Sequence, residues 1–259
     1  VVSAGGTGSV PYGVVRLLAG VVFSLGLILV VVGGAELFTG NNLIIMAWAS
    51  RRISTRQLLL NWGFVYVGNF VGAVATAAIV FLSGQYMFGD GVVGATALAI
   101  ARGKLQLGLF PCICVCMRCT VLVCLAVWLT YSARSTADRI LAVVPPIAAF
   151  VAAGFEHSIA NMYFLPVAIF IRDGAPPAFW TAIDATPAQY SALAWGGAIW
   201  SNLVPVTLGN IIGGAGMVGA VYWFVYLRPT SATLQANVAQ PAVTGAPTDA
   251  SESPASAAH

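Results

Sequence analysis

The sequence predicts an all-α, polytopic membrane protein built on an inverted repeat with two discontinuous helices. Three observations predict it. Hydrophobic residues make up 59% of the 259 residues and charged residues only 7%, against about 25% charged in an ordinary soluble domain. A chain so poor in charge cannot cover a water-facing surface. Four apolar runs, at 13–33, 59–83, 105–131 and 195–227, reach the roughly 20 residues that a bilayer crossing needs. Finally, the pattern Gly-x-Glu-x4-Asn occurs twice inside apolar segments, as GAELFTGN from Gly34 to Asn41 and as GFEHSIAN from Gly154 to Asn161.

The first run is followed by a polar interruption and a short piece at 40–50. The run at 139–155 is followed in the same way by a piece at 159–171. Neither short piece can span alone, so each pair reads as one helix broken part-way, the device by which transporters build midplane sites. If each broken helix counts as one crossing, the arginine sites Arg51, Arg52 and Arg56, then Arg134 and Arg139, then Arg228 fall on one side. The connections at 84–104 and 172–194, which carry Asp90, Asp173 and Asp184, fall on the other. The positive-inside rule makes the arginine side cytoplasmic. The chain is thus expected to lie in the cell's inner (plasma) membrane as a multi-pass protein. Its channel domain covers residues 1–228. The Ala-, Pro-, Ser- and Thr-rich segment 229–259 is expected to be a disordered cytoplasmic tail.

A second echo strengthens the repeat. NWGFVYVGNFVG (Asn61 to Gly72) and NLVPVTLGNIIG (Asn202 to Gly213) share Asn-x6-Gly-Asn-x2-Gly. Two motif pairs in one order indicate an internal duplication, and the odd number of crossings between the copies inverts it. The second copy has a full span before its broken helix, and the first copy has about a dozen residues. The chain also opens Val1-Val2-Ser3-Ala4, without methionine or signal peptide. These features predict six spans in the native protein, of which five are shown here.

Five cysteines crowd into Cys112, Cys114, Cys116, Cys119 and Cys124. The spacing is not that of a zinc ribbon, and the segment reads as a membrane helix, so packing is their expected role and no metal or cofactor is predicted. The net charge of +3 includes no basic stretch of the kind that binds nucleic acid.

An interrupted helix leaves amide and carbonyl groups unpaired in hydrocarbon, at several kcal/mol each. Gly34 and Gly154 permit the backbone angles of a break. Glu36, Asn41, Glu156 and Asn161 can tie the freed groups together, and that structural role is the expected one. The half-helix N-termini so created favour an anion. His157 is the one histidine inside a span. It stands at a break beside Glu156, where ionisable groups are costly and usually functional, and imidazole titrates near pH 6.5. Leu37 occupies the matching place in the first copy, so the fold itself does not require histidine. Thr39 and Ser158 offer hydroxyls to a substrate or to a nearby carbonyl. Lys104 precedes the 105–131 span at the expected outer surface, either as an interfacial lysine or as a charge drawing anions inward. Phe23, Leu27 and Phe150 are apolar helical positions whose default role is packing.

The segments FSLGLILVVVGGAELFTGNN, LVCLAVWLTYSARS, AAGFEHSIANMYFLP and NLVPVTLGNIIGG together resemble the formate/nitrite transporter family over roughly residues 7–228, closest to its formate channels. The resemblance implies an aquaporin-like fold and a homopentamer with a separate pore in each protomer. The expected partners are small monovalent anions (formate, nitrite, hydrosulfide), protons and the lipid bilayer. It implies that His157 is the central pore histidine, Glu156 the acid beside it, and Thr39 the threonine of the first break. Leu37, Leu27, Phe23 and Phe150 match apolar constriction residues, and Lys104 the vestibule lysine. The window PCICVCMRCT departs from the family's pattern. Thr120 stands where asparagine is usual and is counted with the pore residues, and Arg118 falls inside a span.

The implied mechanism has two apolar rings bracketing one histidine. A bare anion crossing a dry ring loses its hydration, and a neutral weak acid loses far less. The alternative reading is a proton-coupled symporter for formate, lactate or acetate. An aquaporin-like channel for neutral solutes is more distant, since paired Asn-Pro-Ala motifs do not occur. No nucleophile–base pair suggests an enzyme.

Overall fold

The computed structural model describes residues 11–228, and the expected tail at 229–259 lies outside the described residues. Every regular element among them is helical. Helix α1 (Tyr12–Gly33) ends at a break, and the chain resumes as α2 (Phe38–Asn41), a 3-10 turn (Asn42–Ile44) and α3 (Ile45–Ala49). Helix α4 (Thr55–Leu82) follows, then α5 (Val92–Leu105) and α6 (Leu109–Thr130). Helix α7 (Thr136–Ala152) ends at the second break, and α8 (Ser158–Gly174) continues beyond it. A short α9 (Pro177–Ala182) leads to the last helical run, Gly197–Leu227, whose central part is α10 (Val204–Ile211).

Four helices are long and apolar enough to cross a membrane: Tyr12–Gly33, Thr55–Leu82, Leu109–Thr130 and Gly197–Leu227. These are the four long runs of the sequence. Local chemistry explains two of the starts. Ser54 Oγ accepts from the Gln57 amide at 3.2 Å while Gln57 Oε1 accepts from the Ser54 amide at 2.8 Å. Ser135 and Asp138 repeat the exchange at 3.1 and 3.0 Å. Each capping box occupies amides left over at a helix N-terminus, and each follows one of the arginine turns.

The connection at 84–104 differs from expectation. It contains helix α5, which packs along α8. Its composition is rich in Ala and Gly with no strong apolar face, so packing rather than pattern holds it. As a result Lys104 ends a packed helix instead of standing free at the surface.

The last helical run presses on α6 through small residues. A Cβ on Gly209 would lie 2.6 Å from Cys116 Cβ, and one on Gly213 would lie 2.2 Å from the Met117 carbonyl oxygen. Close backbone approach of this kind is how helices associate where lipid is as apolar as leucine. The equivalent glycines of the first copy, Gly68 and Gly72, have nothing within 4 Å. The α4 face that carries them is open, and the first copy has no counterpart of α6 among the described residues. Buried Cys112, Cys116, Cys119 and Cys124 fill the α6 interior face as packing thiols, with no disulfide.

Gly213→Ala should push α6 off the last run at a cost of about 1–3 kcal/mol, the usual penalty of overpacking. Gly216→Ala, where a Cβ meets nothing within 4 Å, should be near neutral. Thermal unfolding in detergent compares them, and equal midpoints would contradict the packing described.

Candidate functional site: two mended breaks around a histidine

Both breaks begin with a glycine in the left-handed region, Gly34 at φ 74° and Gly154 at φ 72°. A Cβ at Gly34 would meet nothing within 4 Å, so backbone angle rather than crowding favours glycine there.

The groups freed by each break are then occupied by the same set of side chains. In the first, Asn41 Nδ2 donates to Glu36 Oε2 and, at 3.0 Å, to Asn61 Oδ1. Asn69 Oδ1 accepts from the Phe38 amide at 3.0 Å, and Asn69 Nδ2 donates to the Glu36 carbonyl at 3.0 Å. In the second, Asn161 Nδ2 donates to Glu156 Oε2 at 2.7 Å and to Asn202 Oδ1 at 2.8 Å. Asn210 Oδ1 accepts from the Ser158 amide at 2.8 Å, and Asn210 Nδ2 donates to the Glu156 carbonyl at 3.3 Å and the Cys116 carbonyl at 3.0 Å. The two sequence echoes are therefore halves of one device. The Gly-x-Glu-x4-Asn segment makes the gap, and the paired asparagines of the following span close it. The glutamates and break asparagines were expected at this task. Asn61, Asn69, Asn202 and Asn210 carried the repeat in the sequence but had no assigned role.

The breaks meet at His157. It precedes α8, and its Nδ1 accepts from the Ala160 amide at 3.2 Å. An acceptor nitrogen carries no proton, so the proton of the neutral ring sits on Nε2. Nε2 lies 2.9 Å from Thr39 Oγ1, and this tautomer makes the ring the donor. One residue from each copy thus forms the contact at the centre of the molecule, and both are buried.

Apolar side chains flank that contact. Phe23 and Phe150 meet edge to face with centroids 5.5 Å apart, and Phe150 stands 6.1 Å from the imidazole. Leu27 and Phe150 belong to one buried cluster, against which Phe23 and Leu37 pack. A cavity of about 670 Å³ opens on one side, lined by Phe23, Phe150, His157, Glu156 and Lys104 among others. A second cavity of about 390 Å³, with Leu27, Leu37 and Gly40 in its wall, lies beside the first break.

Lys104, read in the sequence as an interfacial lysine or a charge drawing anions inward, lines the larger cavity and has a partner that the sequence did not indicate. Its Nζ donates to both carboxylate oxygens of Glu156 at 2.9 Å, with side-chain exposures of 12% and 9%, and it stands 5.5 Å over the Phe164 ring. It is a half-buried partner of the buried Glu156, because α5 folds onto α8. Thr120, counted with the pore residues in the sequence, is buried, as Thr39 is, and neither residue is in a cavity wall. The Thr120 hydroxyl bonds back to the Cys116 carbonyl at 3.3 Å, and its methyl abuts Gly214. Ser158 contributes its amide to Asn210, and its side chain lies in the interior, away from both cavity walls. Arg118 lies with Cζ 4.7 Å over the Phe155 ring, a cation–π contact within its span.

The family profile described as formate/nitrite transporter matches residues 1–224. The chain belongs to the formate/nitrite transporter family. It is 49% identical to the formate channel FocA of Escherichia coli K12, over 86% of this chain and 78% of that one. It is 43% identical to FocA of Haemophilus influenzae, over 81% and 74%. The solved structure of a pentameric formate channel with formate bound superposes with a TM-score of 0.82 at 46% identity, covering 88% of this chain and 89% of the other. The chain is thus a membrane transport protein of the formate/nitrite transporter family, and the mended breaks are the core of its fold.

Asn210→Ala should orphan the Ser158 amide and the Glu156 carbonyl in the interior, at about 1–3 kcal/mol per group. Asn69→Ala should cost less, because its side chain is only half-buried and water can replace it. Thermal midpoints in detergent test the order, and equal losses would contradict it.

Proposed function

We propose that this chain is a channel for small monovalent anions, formate foremost with nitrite and hydrosulfide as further candidates. Five copies assemble, each with its own passage. The membrane is the cell's inner membrane, with the arginine turns and the C-terminal tail on the cytoplasmic side. Formate as substrate and the five-fold assembly rest on the pentameric, formate-bound neighbour. The observation that supports the reading is the buried Thr39–His157 contact, whose histidine lines the larger cavity.

In this reading Phe23 and Phe150 form one constriction, and Leu27 and Leu37 the other. An anion leaving the larger cavity reaches a pair of donors, the imidazole Nε2–H and the Thr39 hydroxyl. Donors held in a dry passage stabilise an oxyanion far more than they would in water. His157 holds Nδ1 as an acceptor toward Ala160 and therefore serves as a neutral donor. Thr39 turns its hydroxyl between the imidazole and the passing anion. Glu156, held by Lys104 and Asn161, fixes the backbone next to the histidine.

A second reading is proton-coupled symport of formate, lactate or acetate. The edge-to-face packing of Phe23 on Phe150 favours it, because no polar group there replaces the hydration of a bare anion, whereas the neutral acid crosses at lower cost. Accumulation against a gradient that an uncoupler collapses would identify symport.

The test is a proteoliposome flux panel of small anions at two pH values. His157→Phe removes the donor and should lower formate flux by on the order of tenfold or more, the equivalent of one hydrogen bond to a charged group. Unchanged formate flux at both pH values would end the histidine role.

A further inference from the structure

The larger cavity is lined by two cations, Arg16 and Lys104, and by one acid, Glu156. Lys104 meets both oxygens of Glu156 at 2.9 Å, so its charge is compensated within the wall. Subtracting that acid from the two cations leaves one positive charge on the lining, and it belongs to Arg16. Arg16 makes no ion pair among the described residues. One terminal nitrogen donates to the Val151 carbonyl, and its Nε is buried without a hydrogen-bond partner. A Cβ on Gly154 would come within 3.3 Å of the guanidinium, so the group reaches the second break.

We propose that Arg16 is the anion-capturing residue of this vestibule, a site that takes a planar monovalent oxyanion such as a carboxylate before it enters the aromatic ring. This rests on the anion-channel reading above. The position suits the task. Arg16 and Phe23 are seven residues apart on α1, two helical turns on one face and about 10 Å along the axis. The backbone oxygen that anchors Arg16 belongs to Val151, next to Phe150. The guanidinium is therefore attached to both walls that carry the ring. Its chemistry suits the ligand as well. A planar fork of donors matches a carboxylate in two-point geometry, and guanidinium is weakly hydrated, so an anion displaces its water readily. One uncompensated charge in a concave, low-dielectric wall concentrates counter-ions by tenfold or more. Lys104, tied to Glu156, sets the shape of the vestibule.

The rival role is purely structural, a cap on the carbonyl near the end of α7. Salt separates the two. Long-range capture is felt over about 30 Å at 0.01 M salt and about 3 Å at 1 M, and a cap is indifferent to both. The experiment is formate flux in proteoliposomes at those two ionic strengths for the wild type, Arg16→Gln and Arg16→Lys. Arg16→Gln should lose several-fold of the flux at low salt and approach the wild type at high salt. Arg16→Lys, which keeps the charge and loses the fork, should keep the salt dependence while the half-saturating formate concentration rises several-fold. Loss of equal size at both ionic strengths, or no loss at either, would overturn the proposal. If Arg16→Gln fails to assemble, unchanged half-saturation in Arg16→Lys would overturn it. A wild type that passes no small anion would instead refute the channel reading.

Discussion

An α-helix interrupted inside hydrocarbon loses the pairing of up to four carbonyls at one new end and four amides at the other, and no water is at hand to replace it. The rest of this structure depends on how that loss is made good. A carboxylate and an asparagine lie on either side of each gap, and two asparagines reach in from the next span. Asparagine suits the position because its amide donates and accepts at once. Asn210 takes the Ser158 amide with its oxygen and gives its nitrogen to two carbonyls, so one side chain serves both ends of the gap. An apolar residue would serve neither.

Once the breaks are stable, the two copies are free to differ in what they present to the interior. Position for position, Leu37 stands where His157 stands, and Thr39 stands where Ile159 stands. Neither copy alone holds both polar groups. The inversion brings the threonine of one to the histidine of the other, 2.9 Å apart. A polar centre with apolar walls thus arises from exchanging two residue types across a symmetric frame. The glutamates diverge in the same way. Glu36 is exposed and bonded to Asn41, whereas Glu156 is buried and occupied by Lys104 as well. Burial requires that partner, since an isolated carboxylate would not remain charged away from water.

Much of this was legible in the sequence because the membrane enforces it. The runs at 13–33 and 195–227 became the helices Tyr12–Gly33 and Gly197–Leu227, since length and apolarity leave few alternatives in lipid. The breaks were legible through Gly34, Glu36, Gly154 and Glu156, residues that an unbroken span has no reason to hold. What escaped was tertiary. Helix α5 carries no strong apolar periodicity, so its packing on α8 was invisible, and with it the partner of Lys104, which lies 52 positions away in Glu156. The asparagines were visible as a repeat but not as clamps, because a partner can lie 94 positions away, as Cys116 does from Asn210. Arg16 offered a signal that went unread, a single charge inside the first apolar run, where a charge normally has a task.

If Arg16 captures anions as proposed, the Lys104–Glu156 pair and an arginine without an ion pair among the described residues would let one wall be both stable and attractive to anions. Were Lys104 free, Glu156 would be a buried acid with no cation beside it, at a desolvation cost that nothing offsets. Were Arg16 paired with an acid of its own, the cavity lining would be neutral, and nothing would distinguish it electrostatically from an apolar crevice. The charges are instead divided by function. One cation cancels the acid that the break requires, and a second remains in excess at the vestibule wall, roughly two helical turns from the aromatic ring. The acid is needed to hold the backbone, and the lysine is needed because the acid is buried. The excess charge therefore comes to rest on Arg16, the residue that the wall itself leaves partly unsatisfied.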